Sequence, residues 1–155
     1  MAVRHVFVNR RPERVWGVLS DADRYHEWVV GTQSTVEEDG SWPQVGTTLE
    51  YDVGVGRLTV EGHTIVRLCE PPGRLELEAS AGRLGSARIA ISVRPWGEGS
   101  LITMDEHPLR GAVARLHTAP VDMLLQLRHR LMLARLRDVV ESGRSEADRE
   151  AGRHV

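Results

Sequence analysis

The run from Thr118 to Ser142, TAPVDMLLQLRHRLMLARLRDVVES, constrains the fold more than any other stretch of the chain. Val121, Leu124, Leu125, Leu131, Met132, Leu136, Val139 and Val140 recur at spacings of three and four, which places them on one side of a helix. Pro120 suits a first helical turn and Asp122 sits near the positive end of the helix dipole. Arg135 and Arg137 lie toward the negative end, and Gly143 is a stop signal. At the usual rise per residue such a helix spans about 35 Å, the width of a small domain. Met123, Leu124, Leu125 and Leu127 make its first half apolar almost all round, so it needs a concave partner rather than a flat one.

The rest of the chain reads as that partner. Val3 to Asn9 alternates as a first strand, and Pro12 opens a short helix whose stripe is Val15, Trp16, Val18 and Leu19. Ser20 and Asp23 have the spacing of a capping box, which predicts a second short helix from Asp21 to Trp28 that buries Tyr25 and Trp28. From Gly31 to Pro108 the pattern changes to short alternating runs. Strands are expected at Gln33–Glu38, Thr47–Val53, Leu58–Leu68, Arg74–Ala81, Ala87–Arg94 and Leu101–His107. The breaks between them (DGSWPQVG, GVG, EPPG, AGRLG and PWGEG) are of hairpin length, so the sheet is expected to be antiparallel. One face collects Leu49, Tyr51, Val53, Val60, Val66, Leu68, Leu75, Leu77, Ala79, Ala87, Ile89, Ile91, Val93, Ile102 and Met104. The other carries Glu50, Asp52, Glu61, His63, Arg67, Glu76, Glu78, Arg88, Arg94, Thr103 and Asp105. One dry and one wet face fits a sheet covered on one side, and about seven strands twist enough to wrap a helix. Residues 1–142 then form a single domain, and 143–155 a polar, disordered tail.

Composition narrows the function. With 155 residues and a formal charge of −2, the chain has length for a sizeable core and no electrostatic case for nucleic acid or an anionic membrane. Its 20 basic residues are all Arg, which excludes a catalytic lysine. Cys69 is the single cysteine, so neither an internal disulfide nor a thiolate metal cluster can form. The start MAVRHVFV is too short and polar for a signal peptide, and no apolar run is long enough to cross a membrane, so a cytoplasmic location is expected.

The opening RRPERVWGVLSDADRYHEWVVG resembles the start of SRPBCC-superfamily proteins, which include START-like, birch-pollen-allergen-like and polyketide cyclase/dehydrase members. The resemblance rests on Pro12, Glu13, Val15 and Trp16 in the first helix and on Asp21, Tyr25 and Trp28 in the second. WPQVGTTLEYDVGVG and LITMDEHPLRG resemble later parts of actinobacterial members. What it implies is an α+β helix-grip (START/Bet v 1-like) fold, a seven-stranded antiparallel sheet curved around a long C-terminal helix. It further implies a cavity between them that takes an apolar or aromatic small molecule. Trp28 would pack near its open side.

Candidate chemistry follows from parity. Glu106 shares a side with Ile102 and Met104 and points inward, either as a general acid or base or as a rim carboxylate paired with Arg110 or another Arg. Tyr51 points inward and can hydrogen-bond a carbonyl or enolate oxygen, or simply pack its ring. Thr64 lies on the inward side of the long central strand. Leu77, Ile89, Ile91 and Met104 from the sheet, and Leu124 and Leu125 from the helix, would line the cavity. His107 at a strand end and His117 before the helix are placed for the entrance. His129 falls three positions before Met132 and reads either as inward or as an ordinary satisfied or surface histidine. The seven histidines show no metal-ligand spacing, and neither a nucleophile elbow nor a phosphate loop is present, so no metal or cofactor is expected. Two readings remain: binding of a hydrophobic or aromatic metabolite by a monomer or homodimer, and a polyketide cyclase/dehydrase-type enzyme using Glu106 with Tyr51 or His107.

Overall fold

The computed structural model describes residues 2–29, 32–37, 41–55, 57–80, 85–110 and 127–142. Strand β1 (Ala2–Val8) leads to helix α1 (Pro12–Leu19), a 3₁₀ turn (Ala22–Arg24) and the short helix α2 (Tyr25–Trp28). Then come β2 (Thr32–Glu37), β3 (Thr48–Val55), β4 (Leu58–Glu70), β5 (Arg74–Ser80), β6 (Ser86–Trp96) and β7 (Gly99–Arg110). Residues 127–142 form the described part of the C-terminal helix, α3. Residues 118–126, where the sequence predicts its first turns, and the tail at 143–155 lie outside the described residues.

Hairpins join the strands from β2 to β7, and β1 pairs with β7, giving one antiparallel sheet in the order β1-β7-β6-β5-β4-β3-β2. The two edge strands, β1 and β2, are consecutive in sequence, so α1 and α2 carry the chain from one edge to the other. The β6–β7 hairpin closes through Gly97 and Glu98, with Gly97 at φ 59°, a conformation a tight two-residue turn needs and glycine adopts without strain.

Alternation produces the inner face as expected. Leu49, Val66, Leu75, Leu77, Ile102 and Met104 are completely buried and join Met132 and Leu136 of α3 in a single core. Each such side chain is worth about 1.5–3 kcal/mol relative to exposure. Register aligns Val66, Leu77, Ile89 and Glu106 in one row across β4, β5, β6 and β7, and Thr64, Ala79 and Ala87 in the next. The outer face is charged, with cross-strand pairs Arg67–Glu78 and Arg88–Glu76.

Three expectations are corrected. Leu68 does not join the inner face, because the β4–β5 ladder shifts register between Val66 and Leu68. Beyond the bulge Leu68 pairs with Glu76, and Cys69, opposite Leu75, packs on the core instead. Ser20 closes α1 rather than capping the next helix; Asp21 is the cap, its carboxylate accepting the Asp23 N–H at 3.1 Å. Leu131 is 43% exposed, and the buried stripe of α3 is His129, Met132, Leu133, Leu136 and Val140. The helix thus faces the core about one residue out of phase with the run of leucines. Its last turn is tied down by the Arg10 guanidinium, which donates to the Glu141 carbonyl at 2.9 Å, and by the Asn9 N–H on the Glu141 carboxylate.

Candidate functional site

Two groups of buried polar side chains interrupt the apolar inner face. The first centres on Thr64, fully buried on β4. The Tyr25 hydroxyl reaches Thr64 Oγ1 at 2.8 Å and the Tyr51 hydroxyl reaches it at 2.6 Å. The Tyr25 and Tyr51 rings stack at 5.4 Å between centroids, with Trp28 and Trp42 edge-on against Tyr25. Gly62, the register partner of Tyr51, makes room for that ring: a Cβ there would lie 2.7 Å from Tyr51 Cε2. Burial pushes the Tyr25 hydroxyl well above the ordinary tyrosine range and raises that of Tyr51, so both stay protonated. The two phenol hydroxyls also hydrogen-bond each other, so the three hydroxyls can satisfy one another within the trio.

The second group joins β7 to α3. Glu106 is 6% exposed and His129 1% exposed, and His129 Nε2 contacts Glu106 Oε2. Arg128 Nη1 donates to Glu106 Oε1 at 3.4 Å. Burial lowers the His129 pKa, the Glu106 charge opposes that shift, and the Arg128 and Arg4 cations add to it. A carboxylate only accepts, so the neutral ring donates Nε2–H to Glu106 and keeps a bare lone pair on Nδ1. That Nδ1 is buried and has no hydrogen-bond partner among the described residues. Arg128 links the two groups, since its charge also acts on the hydroxyls of Tyr25 and Tyr51. Between them lie Ala79 and Ala87, small and only half-buried, so that row of the inner face carries little bulk.

Trp28, Tyr51, Thr64, Leu77, Ile89, Ile91, Met104 and Glu106 are all buried. The structure brings Tyr51 and Thr64 into contact and gives Glu106 a histidine partner that parity on the strand could not name. His107 is corrected: one residue beyond Glu106, it points to the outer face, where its Nε2 meets Asp105 Oδ2 at 3.1 Å. His117, Leu124 and Leu125 lie outside the described residues, as does the interstrand turn at Gly56. Trp42 packs in the core with its indole N–H on the Leu19 carbonyl, and burial raises the Cys69 thiol, which is therefore no reactive thiolate. Sequence reasoning missed the Tyr25 hydroxyl and the roles of Arg128 and His129. The signal for His129 is its spacing: 129, 132, 136 and 140 form one helical stripe. Among the described residues no group of three His, Cys, Asp or Glu side chains is placed to hold a metal, and no helix is long and apolar enough to cross a membrane.

Comparison with known proteins agrees with this architecture. Ara h 8.0201 superposes with a TM-score of 0.71 at 13% identity, over 91% of this chain and 97% of that one. TTHA0849 from Thermus thermophilus gives 0.69 at 16% identity, over 92% and 97%. DynU16, from the dynemicin biosynthetic locus, gives 0.69 at 19% identity, over 92% of this chain and 47% of that one. At these identities the likeness establishes the helix-grip fold and nothing finer. No curated protein matches the chain in sequence. The profile of the family described as polyketide cyclase/dehydrase and lipid transport matches residues 2–141, so the chain belongs to that family.

Proposed function

We propose that the protein binds a small hydrophobic or aromatic molecule, lipid- or polyketide-like, between the inner face of the sheet and the C-terminal helix. One observation carries this reading. On an otherwise apolar face that also carries the Tyr25–Thr64–Tyr51 hydroxyls, the buried His129 Nδ1 has no hydrogen-bond partner among the described residues and keeps a lone pair for a ligand. A mostly apolar surface with a few convergent polar groups is the usual form of a small-molecule site. Membership of a family described by polyketide chemistry and lipid transport supports it. Native mass spectrometry of freshly purified protein, with extraction of any adduct, is the test. A stoichiometric apolar or aromatic adduct is expected. No adduct, together with no thermal shift from a panel of fatty acids and polycyclic aromatic ketones, would overturn it.

A second reading, acid/base catalysis of the polyketide cyclase/dehydrase kind, is favoured by the Glu106–His129 contact. It brings a carboxylate and an imidazole together out of water, where proton transfer to a bound ligand is efficient. Turnover of a bound polyketone that is lost in Glu106→Gln would support it.

A further inference from the structure

We propose that His129 sets the specificity of the ligand site: its Nδ1 accepts a hydrogen bond from a phenolic hydroxyl, so the protein prefers hydroxylated aromatic ligands to the same rings carrying a methyl group or a carboxylate. This rests on the binding reading above and requires no reaction.

Tautomer, space and charge each narrow the ligand. Glu106 Oε2 engages Nε2 of a ring that is only 1% exposed, which orients the ring and places the single proton of neutral imidazole on the carboxylate side. Nδ1 is then a buried acceptor, and among the described residues nothing donates to it. An orphaned acceptor costs stability, and a donor on the ligand removes that cost. Space lies beside the pair. Ala79 and Ala87 form the row next to Leu77, Ile89 and Glu106, and they stay half-buried where Leu77 and Ile89 are fully covered. Small inner-face side chains left partly open accommodate a flat ring.

Charge selects among donors. Of the charged groups that act on His129, Glu106 on β7 is the anion, and Arg128 on α3, Arg4 on β1 and the amino terminus are cations. Glu106 is already engaged by both His129 and Arg128. That surplus of positive charge repels an ammonium donor and favours an acidic hydroxyl, whose oxygen carries partial negative charge as it donates. A carboxylic acid is ionised near neutral pH and has no proton left for a neutral imidazole, whereas a phenol keeps its proton up to about pH 10. Arg128 completes the contact. Its 3.4 Å bond to Glu106 occupies one donor of a five-donor guanidinium, and it is about one-third exposed at the border of the buried pair, where the phenol oxygen can accept from it.

The test compares 2-naphthol, 2-methylnaphthalene and 2-naphthoate, three substituents on one ring system, by equilibrium dialysis against the full chain. Expected at about pH 8 is 2-naphthol bound about tenfold or more tighter than 2-methylnaphthalene, because a site that pairs with a hydroxyl rejects the analogue lacking it. Burial lowers the His129 pKa from the usual 6.5, against Glu106 and with Arg128, Arg4 and the amino terminus, so the ring is neutral there. The preference should shrink as the pH falls below 6.5, since the imidazolium has no acceptor, while 2-methylnaphthalene binding stays flat. His129→Gln keeps a donor for Glu106 and deletes Nδ1; it should bring 2-naphthol down to the affinity of 2-methylnaphthalene with circular dichroism unchanged. His107→Gln, on the outer face, should alter neither affinity. If His129→Gln does not fold, the pH profile of the parent decides. Equal affinities, a preference undiminished in a folded His129→Gln, or a preference that holds or grows as the pH falls overturns the role of His129 while leaving ligand binding intact. Naphthoate bound tighter than 2-naphthol overturns it in favour of an imidazolium–carboxylate pair. No binding of 2-naphthol overturns the phenolic class, and the adduct experiment above reports separately on binding itself.

Discussion

Thr64→Val is the sharpest perturbation of the inner face, because it changes one oxygen for a methyl group at nearly constant volume. Thr64 is fully buried, and its Oγ1 serves the hydroxyls of Tyr25 and Tyr51, themselves 1% and 8% exposed. Valine would remove the partner both phenols share and leave them only each other in an apolar setting. Leaving a buried polar group unpaired costs about 1–3 kcal/mol, so two partly compensating hydroxyls put the loss at roughly 2–4 kcal/mol. For a domain of this size that is a fall in Tm of roughly 5–15 °C. The assay is urea denaturation and calorimetry of the parent, Thr64→Val, Tyr51→Phe and the double variant. With Thr64 gone, the Tyr51 hydroxyl has already lost one of its two partners, so Tyr51→Phe should cost less in that background than in the parent, with a coupling of about 0.5–3 kcal/mol. A Tm within about 1 °C of the parent, or strict additivity in the cycle, would refute the view of the trio as a mutually satisfied buried unit.

Gly62→Ala should destabilise by about 1–3 kcal/mol, since its Cβ would sit 2.7 Å from the Tyr51 ring and 3.2 Å from the Ser80 carbonyl; chemical denaturation reads this, and a neutral outcome would mean that the ring moves freely. Because folding lowers the His129 pKa, stability is complete above pH 6.5 and falls as the pH drops below it, by at most about 1.4 kcal/mol per pH unit, and His129→Gln should flatten that slope in a pH series of urea melts. At the other end, folding raises the pKa of Tyr25 and Tyr51, so their contribution holds below pH 10 and is lost as the pH rises beyond it; ultraviolet titration should show both phenols resisting ionisation until the protein unfolds. Deleting Gly143–Val155 should leave Tm and solubility unchanged, as expected for a polar tail; insoluble protein would refute that assignment.

Local pattern alone determined most of the fold. Period-two alternation marked each strand to within a few residues, turn residues marked the hairpins, and Pro12 marked the start of α1. Alternation also put Tyr51, Thr64 and Glu106 on the inner face, because side-chain direction on a strand is a property of the strand itself. It failed at Leu68, where one extra residue in a bulge reverses the parity of everything beyond it, and a bulge is decided by the partner strand. The phase of α3 was legible only in part. Leu131 and Leu133 are equally apolar, and which of them turns inward depends on how the helix is rolled against the sheet. The pairings that make the candidate site were decided by tertiary structure alone. Glu106 and His129 are 23 residues apart, and Tyr25 and Thr64 are 39 apart, with no local signal linking either pair. A sequence shows which side chains leave the strand or helix on a given face; only the docking of helix on sheet determines which of them meet away from water, and there an isolated carboxylate and an isolated imidazole become a coupled pair.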